Sequence, residues 1–247
     1  MMDYGYFVRG QEHLGMFYQS LKSVRKVAPT AHVILVTDDP EIKSIEADSN
    51  VALIPIAPGM PIMLANLEAQ IAALFAGSIT DDIAFLDTDV LLLAPIKKLT
   101  TDLMVTWRDS IGTNEDGEKV EGVAAQMPYN YGVLAMRRNQ QTIEMMIWMR
   151  ERIRKMHGSY QKWYGNQVAL AELCGARPAA GTETVTRRIP WLLTESGAAL
   201  TIEKRPCEVW NYTPKELDED LAGKRALHFK GGSRKLMQGY AQRLGCL

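Results

Sequence analysis

Two aspartates, Asp87 and Asp89, stand in the most apolar segment of the chain, IAFLDTDVLLLAPI (Ile83 to Ile96). Burying charge is costly unless it is paired or bound to metal, so both carboxylates require a partner. Residues two apart on a strand project to the same side, which lets Asp87 and Asp89 converge on one cation while Thr88 faces away. Hard carboxylate oxygens suit magnesium or manganese, ions that bridge to substrate phosphates. A second acidic triplet, Asp218 to Asp220, serves as a control: it lies in the polar run KELDEDLAG and reads as a solvated helix face. Only the first pair follows a buried strand. Two other readings of it stay open at this level. One makes Asp87 a turn or cap residue and Asp89 a salt-bridge partner. The other is a phosphatase-type aspartyl nucleophile, which expects its strand first in the fold and Thr or Val where Leu91 stands.

The elements that must present these carboxylates alternate from the start. YGYFVRG (Tyr4 to Gly10) reads as a strand, and Leu14, Phe17, Leu21 and Val24 follow at helical spacing before Pro29. HVILVTDDP is a buried strand ending in a turn. A second helix runs through Leu64, Leu67, Ile71 and Leu74 to a stop at Gly77, and the aspartate strand comes next. This βαβαβ order predicts an α/β domain with a doubly wound, mostly parallel sheet and a ligand crevice at the strand ends. Farther on, GTNEDGEKVEG (Gly112 to Gly122) reads as a polar loop and YGVLAMRR as a strand. A helix is predicted from an N-cap at Asn139 to a stop at Gly158, with Ile143, Met146, Ile147, Ile153 and Met156 on one side. Its basic end (Arg150, Arg152, Arg154, Lys155, His157) reads as a solvated face complementing the helix dipole. A short helix from Asn166 to Cys174, a strand at AALTIEKR and a last strand at RALHF complete the pass.

Composition narrows the function. The chain has 247 residues, 47% of them hydrophobic, enough for one large α/β domain, expected to span 1–247. Net charge is −1, without the excess that drives non-specific binding to nucleic acid or anionic membrane. Three scattered cysteines (Cys174, Cys207, Cys246) fit neither a zinc site nor a disulfide framework and suggest a reducing compartment. No leader pattern and no apolar run of about 18 residues is present, so a cytoplasmic location without a membrane span is expected. The NYT sequon at Asn211 carries little weight without a secretion signal. Dinucleotide, P-loop, zinc-protease and serine-hydrolase signatures are all absent.

Four segments in order resemble the nucleotide-sugar glycosyltransferases of GT-A fold, most closely the glycogenin and bacterial lipooligosaccharide galactosyltransferase group. FLDTDVLL resembles their metal-binding Asp-x-Asp. YNYGVLAMRRN (Tyr129 to Asn139) is similar to their stretch whose Asn helps form the acceptor and sugar pocket. WYGNQVALAEL (Trp163 to Leu173) resembles their Asp-Gln helix start, and LHFKGGSRKLM (Leu227 to Met237) their His-x-x-Gly-x-x-Lys segment. The resemblance spans roughly Tyr6 to Met237. It implies a single GT-A-like domain, with residues 1–100 binding the nucleotide-sugar and 101–247 facing the acceptor.

The same resemblance implies a transferase that moves a sugar from a nucleoside diphosphate, with UDP expected, to an acceptor hydroxyl on a glycan, lipid, protein or modified nucleic-acid base. Asp87, Asp89 and His228 would hold a divalent ion, Mn2+ or Mg2+. Arg234 or Lys235, with backbone N–H groups around Gly231 and Gly232, would meet the diphosphate. Val8, Arg9 and Thr37 would border the nucleoside, and Thr88 the ribose. Asn130, Trp107 and Arg108 are assigned to the sugar and acceptor pocket. Asn166 stands where many relatives carry Asp, which leaves Gln167 as the nearest polar group for the reacting face in a retaining transfer. Asp109 is the candidate base for an inverting one. The alternatives are a metal-dependent phosphohydrolase or nucleotidyltransferase, and a non-catalytic nucleotide-sugar-binding module.

Overall fold

A computed structural model describes residues 2–45, 48, 50–76, 81–108, 127–189 and 199–247. The loop expected at Gly112 to Gly122, the helix stop at Gly77 and the candidate base Asp109 lie outside the described residues.

Eight strands form the central sheet: β1 (Asp3–Val8), β2 (Val33–Thr37), β3 (Val51–Pro55), β4 (Asp82–Leu86), β6 (Leu103–Trp107), β7 (Tyr129–Arg137), β8 (Glu183–Arg188) and β9 (Ala199–Pro206). A separate pair, β5 (Val90–Leu92) and β10 (Ala226–His228), makes a small antiparallel ribbon. The sheet order is β3-β2-β1-β4-β7-β6-β9-β8. Strands β1 to β4 run parallel, whereas β7 opposes both β4 and β6, and β8 opposes β9. The fold is therefore the expected α/β arrangement with a mostly parallel sheet. Its order reverses between β1 and β4, the place where an open α/β sheet leaves a crevice.

The strands that read as continuous apolar runs do so because both of their faces are covered. On β2, Ile34 and Val36 join the cluster beneath helices α2 (Ile62–Phe75), α3 (Gln140–Arg154) and α5 (Gly165–Cys174). Val33 and Leu35 face the opposite cluster with Phe17, Leu21 and Val24 of helix α1 (Leu14–Val27). Strand β4 divides the same way, with Ile83 and Phe85 on one face and Ala84 and Leu86 on the other.

Several expectations are corrected locally. Asn139 caps α3 as expected, through a reciprocal capping box with Thr142. The helix stops at Arg154, and Gly158 opens a further short helix, α4 (Gly158–Lys162), instead of ending α3. The basic residues of that end are paired, Arg150 and Arg154 with Glu68 and Glu151, and Arg152 with Glu172. The acidic control run is solvated but not helical: Glu219 folds back to accept from the Lys215 and Glu216 amides. Beyond β9, a turn of helix α6 (Cys207–Trp210) leads to β10, and helix α7 (Arg234–Arg243) packs Met237 and Tyr240 on Leu91 and Leu227 of the ribbon. The three cysteines are buried and unpaired.

Candidate functional site

Strand β4 ends at Leu86, one residue before the first carboxylate. Asp87 is therefore off the strand, and Thr88 and Asp89 form a turn closed by Val90 N donating to Asp87 O at 3.2 Å. The carboxylates converge because of this turn, not because of strand alternation as the spacing suggested. Strand β7 fixes the turn from one side, where the Asp87 amide donates to the Gly132 carbonyl at 3.0 Å. The ribbon fixes it from the other: pairing of β10 on β5 sets His228 opposite Val90, and Phe229 N donates to Asp89 O at 2.9 Å.

The result is a trio drawn from distant parts of the chain. One ligand atom each of Asp87, Asp89 and His228 lies within 4.8 Å of the others. His228 Nε2 is 3.1 Å from Asp89 Oδ1 and 3.4 Å from Asp87 Oδ2. Adjacent ligands on an octahedral ion with bonds near 2.1 Å are about 3 Å apart, so these separations fit a shared divalent cation. The other face of the imidazole is spoken for. His228 Nδ1 is 2.8 Å from Asn211 Oδ1, while Asn211 Nδ2 donates to Thr106 Oγ1 and to Asn130 Oδ1, each at 2.9 Å. Since the Asn211 amide nitrogen is committed as donor, its oxygen must accept, which places an imidazole proton on Nδ1 and turns Nε2 toward the carboxylates.

The carboxylates differ in environment. Burial works to raise the Asp89 pKa, but the His228 hydrogen bond and the Arg234 guanidinium, whose Nε donates to Oδ2 at 2.8 Å, together hold it below its ordinary value. Asp87 keeps 43% of its side-chain surface open to the cleft. Desolvation by the surrounding protein, with the charge of Asp89, raises its pKa against the opposing pull of His228.

An open cleft of about 330 Å³ lies over the trio. Of the sequence-derived candidates it is lined by Arg9, Thr88, Asn130, Asn166, Gln167 and Arg234 in addition to Asp87, Asp89 and His228. Arg9 is paired with Asp38 and donates to Met60 O at 2.8 Å. Asn130 Oδ1 accepts from Gly132 N and from Asn211, so it serves the frame of the trio. Asn166 does not cap its helix: α5 starts at Gly165, and Asn166 Oδ1 accepts from Gln167 N at 2.8 Å. Arg108 stands behind Gln167 and donates to its Oε1 at 2.5 Å.

Other candidates fall elsewhere. Val8 and Thr37 are buried at their strand ends, and the Thr37 hydroxyl is bonded to Val8 O. Trp107 is buried, with its indole N–H on Gly181 O. Lys235, Gly231 and Gly232 are exposed and outside the cleft lining. Sequence reasoning missed Lys230, which lines the cleft and whose pKa is lowered by burial and by nearby Arg108. It also missed Asn211 and Asn66. The latter lines the cleft with a buried Oδ1 that has no hydrogen-bond partner.

No protein-family model matches the chain, and no curated protein sequence matches it. Solved structures do. The LgtC galactosyltransferase in complex with donor and acceptor sugar analogues superposes with a TM-score of 0.52 over 100% of both chains at 14% identity. A glycosyltransferase involved in glycosylation of the major capsid of PBCV-1 gives 0.58 over 98% of each chain at 9% identity. GlyE of Streptococcus pneumoniae gives 0.53 at 12% identity, covering 98% of this chain and 61% of that one. At such identities the likeness establishes a shared fold, the glycosyltransferase fold of GT-A type.

Proposed function

We propose that the chain is a metal-dependent glycosyltransferase that takes a sugar from a nucleoside diphosphate, preferentially UDP, and passes it to an acceptor hydroxyl. The observation that carries this is the convergence of Asp87, Asp89 and His228 at the sheet's crossover crevice, under an open cleft, in a fold shared with glycosyltransferases. A phosphatase-type nucleophile would need a free aspartate at the end of the first strand. Here the pair follows the fourth and one member is tied to Arg234.

The donor set of two carboxylates and an imidazole whose Nε2 faces them suits Mn2+ or Mg2+, with manganese favoured by the nitrogen ligand. Such an ion stabilises negative charge on a leaving diphosphate. The chain's own groups do the rest. Lys230 and Arg234, which both line the cleft, offer charge-assisted hydrogen bonds to phosphate oxygens. Asn66, whose buried Oδ1 has no hydrogen-bond partner, lines the cleft with Phe7 and Arg9, the residues proposed to border the nucleoside. Gln167, whose side-chain carbonyl accepts from Arg108, lines the cleft and is the polar group that a retaining transfer would use at the sugar's reacting face. In this reading residues 1–100 supply the nucleoside side with Asp87 and Asp89, and 101–247 shape the acceptor side while lending His228, Lys230 and Arg234 to the donor's diphosphate.

Thermal shift with UDP, GDP, ADP, CDP and TDP, each with and without Mn2+, tests this on the native chain and on Asp89→Ala. One nucleotide should raise Tm in the presence of metal only, and Asp89→Ala should abolish the rise, because a ligand stabilises the state it binds. No shift with any nucleotide would return the trio to a structural role. A metal-dependent shift without turnover of the matching nucleotide-sugar would favour a binding module.

A further inference from the structure

A second hollow of about 450 Å³ is lined by Ser159, Tyr160, Trp163 and Tyr164. Trp163 and Tyr164 line both spaces. They are 66% and 46% exposed, among the few large hydrophobic side chains that the described residues leave in water. Their ring centroids are 6.4 Å apart with planes at 46°, so the two rings form an angled wall with open faces. Exposed aromatic surface next to a site marks ligand contact.

The backbone holds this wall under strain. Tyr164 has φ 67°, the one non-glycine residue with positive φ among those described. A bulky side chain in that region is an outlier, retained only where its surroundings over-determine it. Gly165 supplies the constraint: a Cβ there would lie 2.4 Å from the Tyr160 carbonyl oxygen and 3.3 Å from Ile153 Cγ2, so α5 starts in direct backbone contact with α4. Asn166 and Gln167 follow within the same turn and face the trio's cleft. The wall is thereby tied to the reacting face with almost no flexible chain between them.

We infer that Trp163 and Tyr164 form a sugar-stacking subsite and that the acceptor is a glycan, an assignment that rests on the transfer reading above. A pyranose ring presents an apolar C–H face that packs on an aromatic ring and a rim of hydroxyls that need hydrogen-bond partners. Tyr160, Tyr164 and Ser159 supply those hydroxyl partners around the aromatic faces. An acyl chain would call for aliphatic walls, and none of the four lining residues is aliphatic. A phosphorylated or nucleic-acid acceptor would call for cations there, and none of the four carries one.

Ligand-observed NMR titration of the full chain with maltose, lactose, cellobiose and N,N′-diacetylchitobiose, in the presence of UDP and Mn2+, tests the assignment. At least one disaccharide should bind, and Trp163→Ala should weaken it by about tenfold or more, the cost of removing one aromatic anchor. Tyr164→Gly provides a second variant that relieves the backbone strain, so its Tm should equal or exceed that of the native chain while sugar binding falls. Equal binding by native and variant chains, or no disaccharide binding at all, overturns the subsite. The UDP thermal shift of the native chain separates the two ideas: if it is present without sugar binding, only the acceptor assignment fails, and if it is absent too, both fail.

Discussion

Gly132→Ala should dismantle the trio without altering any member of it. A Cβ at this position would lie 2.1 Å from His228 Cε1, 2.3 Å from His228 Nδ1 and 3.0 Å from Asp87 Oδ2. Carbon atoms in contact settle near 3.5 Å, so the imidazole must retreat by about 1.4 Å. Metal ligands tolerate about 0.2 Å, several times less. Backbone adjustment offers no escape, because the Gly132 carbonyl accepts from Asp87 N and its amide donates to Asn130 Oδ1, so moving β7 moves the trio's frame. Mn2+ affinity, read by EPR titration, should fall by about 10- to 100-fold, the range for disturbing the support of a metal ligand. Overpacking costs about 1–3 kcal/mol, or roughly 2–10 °C in Tm for a chain of this size. A metal-independent check comes from the His228→Ala background, where the methyl group has room: Gly132→Ala should cost far less there, a non-additivity typical of touching residues. Native Mn2+ affinity in Gly132→Ala, or equal Tm losses in both backgrounds, would refute the packing argument.

Further outcomes follow from the same geometry. Asn211→Leu should lower Mn2+ affinity by about 10- to 100-fold by releasing His228, and destabilise by about 1–3 kcal/mol by stranding buried partners, as isothermal titration and chemical denaturation would register. Because the Asp87 pKa is raised, its carboxylate ionises later than usual as pH increases, so Mn2+ binding should strengthen through that raised value, with Asp87→Asn flattening the profile. Asp102 behaves in the opposite sense. Burial works to raise its pKa, but hydrogen bonds from Thr201 and Asn139 outweigh that and hold it below its ordinary 3.8. Its stabilisation is complete above that ordinary value and lost as pH falls through the lower folded one, so Asp102→Asn should lose part of the acid dependence seen in native melts.

The sheet was legible where burial was uniform. Strands β2 and β4 read plainly because they are buried throughout and apolar except at Thr37 and Asp82 on their ends, the mark of a strand covered on both faces. Strand β3 was not, since its apolar run VALIP is short, ends in proline and lies mostly half-buried at the sheet's edge. Asp87 and Asp89 were legible as charges stranded in apolar sequence, yet the turn that joins them was not, because strand parity and a turn bring the two carboxylates to the same place. Val8 and Thr37 were chosen from position along a strand, and side-chain direction at the last residue decided against cleft exposure. Lys230 and Lys235 lie five residues apart around a helical turn at Gly231–Ser233, so only the folded turn reveals which amine faces inward. Asn211 was hidden by its own motif. As a sequon it pointed outward, whereas the structure buries it against β6 and β7, 1% exposed.

The trio is held in the way its chemistry requires. Each member has one atom committed to the protein and another left toward the common point. His228 gives Nδ1 to Asn211 and keeps Nε2, Asp89 gives Oδ2 to Arg234 and keeps Oδ1, and Asp87 is fixed through its backbone amide on Gly132. Ligands oriented before binding lose little freedom when an ion arrives, so this frame trades conformational entropy for affinity at the folding step. Arg234 is the exception in rigidity, since 53% of its side-chain surface is exposed. That exposure leaves part of the guanidinium open in the cleft that Lys230 also lines, so in the proposed transferase one side chain would both orient Asp89 and meet an anion. A lysine in its place would neutralise the same charge but could not grip a carboxylate and, in the proposed reaction, a phosphate from one planar fork, so Arg234→Lys should weaken metal-dependent binding of a nucleoside diphosphate in a thermal-shift titration.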